Sequence, residues 1–190
     1  MLFEEHIPFH DVVDDVLSPA EVATYLARAD GMDTEPAPIT VGPGKFVVRT
    51  DIRNNARLIF DDVDVAAALW AKVEPHVPGF FQGWQAVGLN ERFRLYRYGP
   101  GQRFAPHFDG AFHRSAYEQS FVTVLLYLDD DMQGGHTALL DFDVVVRPKA
   151  GRLFVFEHAV LHEGAEVTAG VKHVLRTDVM YRDPAHDDES

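Results

Sequence analysis

Between residues 90 and 182 the chain is written as short runs of β-branched and aromatic residues: "RFRLYRY", "FVTVLLYLD", "HTALLDF", "VVVRP", "RLFVFEH" and "KHVLRTDVMYR", separated by Gly, Pro or Asp turns. Many short strands with little helix between them predict an antiparallel sandwich or barrel. A jelly roll is one closed solution for such a strand set, and periodicity does not separate it from other sandwiches. Before residue 90 the texture differs. In "SPAEVATYLARADG" Ser18 is placed to cap a helix, Pro19 suits its first position, Glu21 completes a capping box and Gly31 is a natural stop. A second helix is expected in "DVDVAAALWAKVEPHV", with Val65, Leu69 and Val73 on one stripe. "GKFVVRTDIRNNARLIF" reads as two extended segments around the polar "RNN", while "PGFFQGWQAVG" is rich in turns and takes no assignment. The expected fold class is mainly β with an α-helical amino-terminal layer.

A length of 190 residues fits one domain. Its expected parts are a helical support layer with the first strands over 1–89, a β core over 90–182 and a polar tail over 183–190. The 46% hydrophobic content is ample for a core. No run approaches the ~20 consecutive apolar residues that span a bilayer, so no membrane partner is expected. The start, "MLFEEHIPFHDVVDD", lacks a basic region followed by an apolar stretch, which predicts no secretory signal. With cysteine absent, disulfides and thiolate metal sites are excluded, and the expected location is the cytoplasm. A formal charge of −13 argues against a broad nucleic-acid footprint. The "DDD" at 129–131 and the acidic tail read as solvated surface.

One segment stands out chemically. "QRFAPHFDGAFHR" sets His107 two positions before Asp109. In a strand, residues i and i+2 point to the same side, so an extended 104–109 offers both to one metal ion. His162 in "AVLHEG" is the best third ligand, with His136, His158 and His173 in competition. Two imidazoles and one carboxylate, with the other positions open, is the donor set of non-haem Fe(II) oxygenases. Ten residues after His162, Lys172 lies on what should be the next strand. There its ammonium can hold the far carboxylate of a dicarboxylic acid whose near end chelates the metal. Arg176 shares the parity of Lys172 but sits ~13 Å away at ~3.3 Å per residue. A second His-x-Asp, His186 and Asp188 in "RDPAHDDES", has no apolar framework to orient ligands and reads as a decoy.

The pieces "LYRYGPGQRFAPHFDG", "TVLLYLDDDMQGGHT", "PKAGRLFVFEH" and "LHEGAEVTAGVKHVLRTDVMYR" together resemble the Fe(II)/2-oxoglutarate-dependent dioxygenases, most closely the prolyl 4-hydroxylase-like branch. They follow the family's order and spacing over roughly half of the chain. The resemblance implies a double-stranded β-helix, a jelly-roll barrel with the metal at one mouth. It implies His107, Asp109 and His162 as iron ligands and Lys172 as the residue for the distal 2-oxoglutarate carboxylate, with Arg176 in reserve. Arg176 has the alternative of a salt bridge to Asp178 or another acid. Tyr98 and Tyr127 match tyrosines that hydrogen-bond the cosubstrate, and Thr137 a threonine lining the same pocket. His136 stands where the family commonly has Glu, next to the pocket.

The implied activity uses Fe(II), 2-oxoglutarate and O2, with ascorbate as a stimulant, and releases succinate and CO2. Its implied acceptor is a peptide or protein residue, prolyl first. A free amino acid or natural-product small molecule is the alternative on the same scaffold. A metal-binding β-barrel or zinc hydrolase is the alternative outside it, though a hydrolase has no use for Lys172. Candidate substrate residues are Arg53, Asn54, Asn55 and Arg57 from "RTDIRNNARLIF" and Arg114 from "GAFHRSAYEQS".

Overall fold

Alternation along the strands decides where everything else goes. In β9 (Glu118–Tyr127) Val122, Val124 and Leu126 point one way, Thr123, Leu125 and Tyr127 the other. The first set joins a large apolar cluster with the two helices; Tyr127 joins a second cluster and Thr123 reaches Asp109. The computed structural model describes residues 8–30, 37–42 and 45–186. Its amino-terminal elements are β1 (His10–Val13), α1 (Pro19–Ala29), the hairpin β2 (Ile39–Gly42) and β3 (Lys45–Val47), β4 (Ala56–Asp61) and α2 (Val63–Val73). β5 (Phe80–Phe81), β6 (Trp84–Leu89), β7 (Arg92–Tyr98) and β8 (Phe104–His107) come before β9. After it come β10 (Gln133–Gly134), β11 (Thr137–Leu139), β12 (Val144–Val146), β13 (Leu153–Glu157), β14 (His162–Gly164), β15 (Val167–Ala169) and β16 (Lys172–Arg182).

The larger sheet has eight strands, running β1-β13-β9-β16. One edge of β16 pairs with β9 along most of its length; the other is shared between β7, which also pairs β4, and β6, which leads to β5. The smaller sheet is β12-β11-β14-β8. Two antiparallel sheets enclosing a cavity agree with the jelly-roll expectation.

Both helices form where expected and lie on the outer face of the larger sheet. Ser18 accepts from the Glu21 amide while the Glu21 carboxylate accepts from the Ser18 amide, the reciprocal cap read from the sequence. Gly31, the expected stop, lies outside the described residues. The buried stripe of α2 is Ala66, Leu69 and Val73, which keeps Leu69 and Val73 of the expected stripe; Val65 is only half-buried against the same cluster. Burying side chains such as Leu69 and Val73 contributes about 1.5–3 kcal/mol each, which fastens the helical layer. "PGFFQGWQAVG" proves to be a hairpin: Gln82 and Gly83 take φ of 51° and 85° between β5 and β6, the positive-φ pair that reverses two strands tightly. Among the described residues no helix is long and apolar enough to cross a membrane.

Candidate metal and cosubstrate site

His107 and His162 are brought together by strand register. β8 and β14 are antiparallel neighbours, and the two histidines face each other directly across the ladder, with ring centroids 4.2 Å apart. Each ring is set the same way. His107 Nδ1 donates to the Ala105 carbonyl at 2.8 Å and His162 Nδ1 to the Val160 carbonyl at 2.9 Å. Both Nε2 lone pairs are therefore left for a metal, and the carbonyl partners lock tautomer and orientation. Asp109 completes the group, its carboxylate 3.9 Å from His107 Nε2 and 3.6 Å from His162 Nε2. The three ligand atoms lie within 4.8 Å of one another.

Asp109 is not held by strand parity, as the sequence reading had it. β8 ends at His107, and Asp109 sits in the following loop, its amide donating to the His158 carbonyl at 3.1 Å. Its carboxylate has two fixed neighbours: Thr123 Oγ1 donates to Oδ2 at 2.6 Å and Arg176 Nη2 lies 3.1 Å from Oδ1. Burial alone pushes this carboxyl up, but the Arg176 guanidinium and the neighbouring imidazoles hold it well below the usual range. Burial also lowers His107 to about 3, with His162 adding to the effect, so that its imidazole is kept neutral as a ligand must be.

Behind Asp109 runs a relay of hydrogen bonds. Since Thr123 donates to Asp109, it accepts from His158 Nδ1 at 2.8 Å, and His158 Nε2 then accepts from Ser120 at 2.8 Å. His158 is thus no metal-ligand candidate but a neutral positioning residue, held below its usual pKa by burial. Thr123→Val keeps the shape and removes the hydroxyl. We expect it to weaken metal affinity by about 10–100-fold, measured by competition with a chelator.

The remaining candidates fall into place around one cavity of about 560 Å3 between the sheets. Lys172, Val174, Arg176 and Asp178 line it from alternate positions of β16, and Arg94, Tyr96 and Tyr98 from β7. Lys172 is buried, opposite Tyr98 in the ladder, with its ammonium over the Tyr98 and Tyr127 rings at 5.2 and 5.5 Å. Burial lowers it to about 8, with Asp129 opposing. That aspartate is no mere solvated charge, because it accepts from the His173 amide at 2.8 Å and pairs with its ring. His173 is thereby removed as a metal-ligand candidate. Room for the Lys172 stem comes from Gly135, at φ +67°, where an added Cβ would stand 3.3 Å from Lys172 Cδ.

Thr137 and Tyr98 line the cavity, whereas Tyr127 does not. The Tyr127 hydroxyl donates to Thr137 Oγ1 at 2.7 Å, which leaves the Thr137 proton free for the cavity. Burial pushes the Tyr98 phenol up to about 12 and that of Tyr127 higher still, so both remain neutral donors. Arg176 bridges Asp109 and Asp178 rather than standing beside Lys172, realising its salt-bridge alternative. His136 lines a separate cavity with Asp130 and Arg147 and not the one it was expected to border.

Of the candidate substrate residues, Arg53 and Arg57 line the cavity. Asn55 is behind it, accepting from Arg53 Nε at 2.7 Å. Asn54 is corrected: it braces a turn, donating to the Gly101 carbonyl and accepting from the Arg103 amide. Arg114 is corrected too, since it is paired with Glu91 and Glu118. Thr123, Arg94 and Tyr96 were missed, and Asp178 was foreseen only as a partner of Arg176. Period-2 parity with Tyr98 and with Arg176 was the available signal for Arg94, Tyr96 and Asp178. The second His-x-Asp is split by the end of the described residues. His186 ends a short 3-10 turn and stacks on Tyr117 at 3.9 Å. Removing residues 184–190 is expected to leave metal affinity within about twofold of the full chain, since no ligand partner is lost; iron titration of the truncated protein checks it.

Comparison with known proteins adds three findings. The 2OG-Fe(II) oxygenase superfamily matches residues 93–177. Prolyl 4-hydroxylase 1 of Arabidopsis thaliana is 30% identical over 129 residues, 66% of this chain; the chain spans 44% of that relative's length. Among solved structures, a Pseudomonas putida prolyl-4-hydroxylase is similar with a TM-score of 0.63 at 21% identity, covering 91% of each chain. A viral collagen prolyl hydroxylase from Paramecium Bursaria Chlorella virus-1 gives 0.62 at 17% identity, over 90% of this chain and 96% of that one. A Trichoplax adhaerens prolyl hydroxylase, solved with a hypoxia inducible factor oxygen degradation domain peptide fragment, gives 0.68 at 15% identity, over 93% and 84%. At these identities the structural likeness establishes the fold.

Proposed function

We propose that the chain, whose residues 93–177 match the 2OG-Fe(II) oxygenase superfamily, is an oxygenase of that kind and hydroxylates a peptide or protein residue, with a prolyl residue as the first choice. The observation that carries this reading is the meeting, in one cavity, of a ligand set with its Nε2 atoms free and a buried lysine with no carboxylate in ion-pair reach among the described residues. His107, Asp109 and His162 would hold Fe(II). Lys172, Tyr98 and Thr137 would hold 2-oxoglutarate, with Tyr127 orienting Thr137. Once bound, the iron and 2-oxoglutarate supply oxidation of a C–H bond by O2, with succinate and CO2 released.

The protein's own contribution is positional. Thr123 and Arg176 fix the direction of the Asp109 oxygens, so that the carboxylate stays ionised and in place. The backbone carbonyls of Ala105 and Val160 hold both imidazoles in the ligating tautomer. Lys172 fixes one end of the cosubstrate from a dry wall, where a point charge suffices and no planar fork is needed. The prolyl preference is supported by the likeness to prolyl 4-hydroxylase 1 and to the prolyl hydroxylase structures.

The deciding experiment is an anaerobic titration of metal-free protein with Fe(II) and then 2-oxoglutarate, followed in the visible. The weak charge-transfer band of chelated cosubstrate is expected, and proline-containing peptides can then be screened for succinate release. No band, together with tight zinc binding, would instead favour the hydrolase or binding-barrel reading.

A further inference from the structure

We propose that Arg53, Arg94 and Arg176 form a subsite for a carboxylate of the substrate, beside the metal and apart from the place of Lys172. This rests on the oxygenase reading above, which makes the substrate an amino-acid residue or derivative, whose anions are carboxylates. The observation that leads to it is a set of unmet donors. Arg53 Nη2, Arg94 Nη1 and Arg176 Nε are all buried without a hydrogen-bond partner among the described residues. Buried guanidinium donors are ordinarily satisfied; the Tyr96 phenol interacts with Arg53 and Arg176, yet these three nitrogens stay unmet on the wall of one cavity, which suits an added acceptor.

The three guanidiniums are also held ready. Arg53 is 5% exposed, with its guanidinium 4.3 Å from the Tyr96 ring and 4.2 Å from the Phe104 ring. Asn55 takes its Nε, so the plane is fixed and Nη2 remains. Arg176 is held between Asp109 and Asp178 by one nitrogen. Arg94 Nη1 lies 3.5 Å from Asp178 Oδ2, in ion-pair range without hydrogen-bond geometry. Tyr96 lies among all three, and they bring its phenol down to about 8 although burial alone raises it. The shift follows from the same three guanidiniums.

Charge counting agrees. Lys172 adds a further cation to the lining, and Asp109 and Asp178 are its only carboxylates among the described residues. The chain as a whole carries −13. A strongly acidic protein has therefore gathered cations at this one cavity, more than a dianionic cosubstrate on a divalent metal can balance. Arginine forks suit a planar carboxylate, and low dielectric strengthens the contact.

The test uses Mn(II)-loaded protein with saturating 2-oxoglutarate and two probe pairs, read by calorimetry. One pair is a blocked pentapeptide with Glu or Gln next to its proline; the other is N-acetylproline and N-acetylprolinamide. In at least one pair the carboxylate member should bind at least tenfold more tightly than its amide. That preference should drop below about threefold in both Arg53→Gln and Arg94→Gln, with 2-oxoglutarate affinity unchanged. Should Arg53→Gln not fold, Arg94→Gln decides, with Arg94→Lys expected to restore part of the preference. A preference in the peptide pair alone assigns the subsite to an acidic neighbour of the target residue. A preference in the other pair alone assigns it to the α-carboxylate of a small molecule. Equal or absent binding in both pairs, a preference that survives in the variants, or a parallel loss of 2-oxoglutarate affinity overturns the proposal. Wild-type protein that does not bind 2-oxoglutarate sinks the oxygenase reading separately, and the same probes on the metal-loaded protein then still decide the carboxylate preference.

Discussion

His162→Ala is expected to leave a folded protein that no longer retains iron, with 2-oxoglutarate-dependent succinate release lost by well over about 100-fold. The size follows from rank: loss of an outer hydrogen-bond partner alone costs roughly 10–100-fold in metal affinity or activity, and His162 is itself a proposed ligand. Folding should survive because the charge that the imidazole faces is not orphaned. Asp109 keeps Thr123 and Arg176 as partners when His162 is gone. The ring is buried against Phe156 and His107, so a moderate loss of thermal midpoint is expected from the space left behind. Iron content after dialysis, measured together with far-ultraviolet circular dichroism, checks both halves. Stoichiometric iron in the folded variant would place the third ligand elsewhere.

Lys172→Met should act in two opposite directions. It should raise the 2-oxoglutarate concentration needed for half-maximal turnover by at least about tenfold, since a charge-assisted anchor contributes on the order of 1.5–3 kcal/mol. It should also stabilise the cosubstrate-free protein. Burial lowers this ammonium from 10.5 to about 8, so between those values the unfolded chain binds more protons than the folded one. The penalty of burying the charge is complete below pH 8 and is relieved as pH rises towards 10.5. A shift of that size corresponds to about 3 kcal/mol, an upper figure for the gain from removing the charge. The advantage of the variant in urea unfolding should therefore be present at pH 7 and vanish by about pH 10.5. For the wild type the same titration predicts falling 2-oxoglutarate affinity above pH 8, as the ammonium is lost. A variant no more stable than the wild type at pH 7 would mean that the ammonium is well solvated in the empty cavity.

Much of this was legible in advance, for identifiable reasons. The helices were readable because caps and apolar stripes are local: Ser18, Pro19 and Glu21 act within one turn. The strands of the second half were readable because turn residues punctuate them. His107 with Asp109 was found by spacing, yet the spacing argument was incomplete, since the strand stops at His107 and a backbone bond to His158 brings the carboxylate in. Whether a half-apolar strand turns a given face inward depends on what packs across it, and no single strand encodes that. Thr123 looked like an ordinary residue of "FVTVLLY" for this reason. Arg114 and Asn54 were misjudged because polar loop residues satisfy near neighbours first. Glu91, which takes Arg114, is 23 residues away in sequence and adjacent only in the fold.

The two walls of the cavity have different addresses along the chain. The segment shared with the superfamily, 93–177, contains the proposed ligands His107, Asp109 and His162 and also Lys172, whereas Arg53 and Arg57 come from before it. Arg53 is held beside the centre by a bridge to Phe104, whose ring stacks on His107 at 3.4 Å, and by the bonds of Ile52 and Asn54 to residues 101–105. Arg53 and Arg57 thus add to the cavity wall from outside the shared segment, while Arg94 and Arg176 belong to it. Exchanging the stretch around 49–57 should change one part of the wall while Arg94 and Arg176 stay in place, and redesign for a new acceptor has an obvious place to begin.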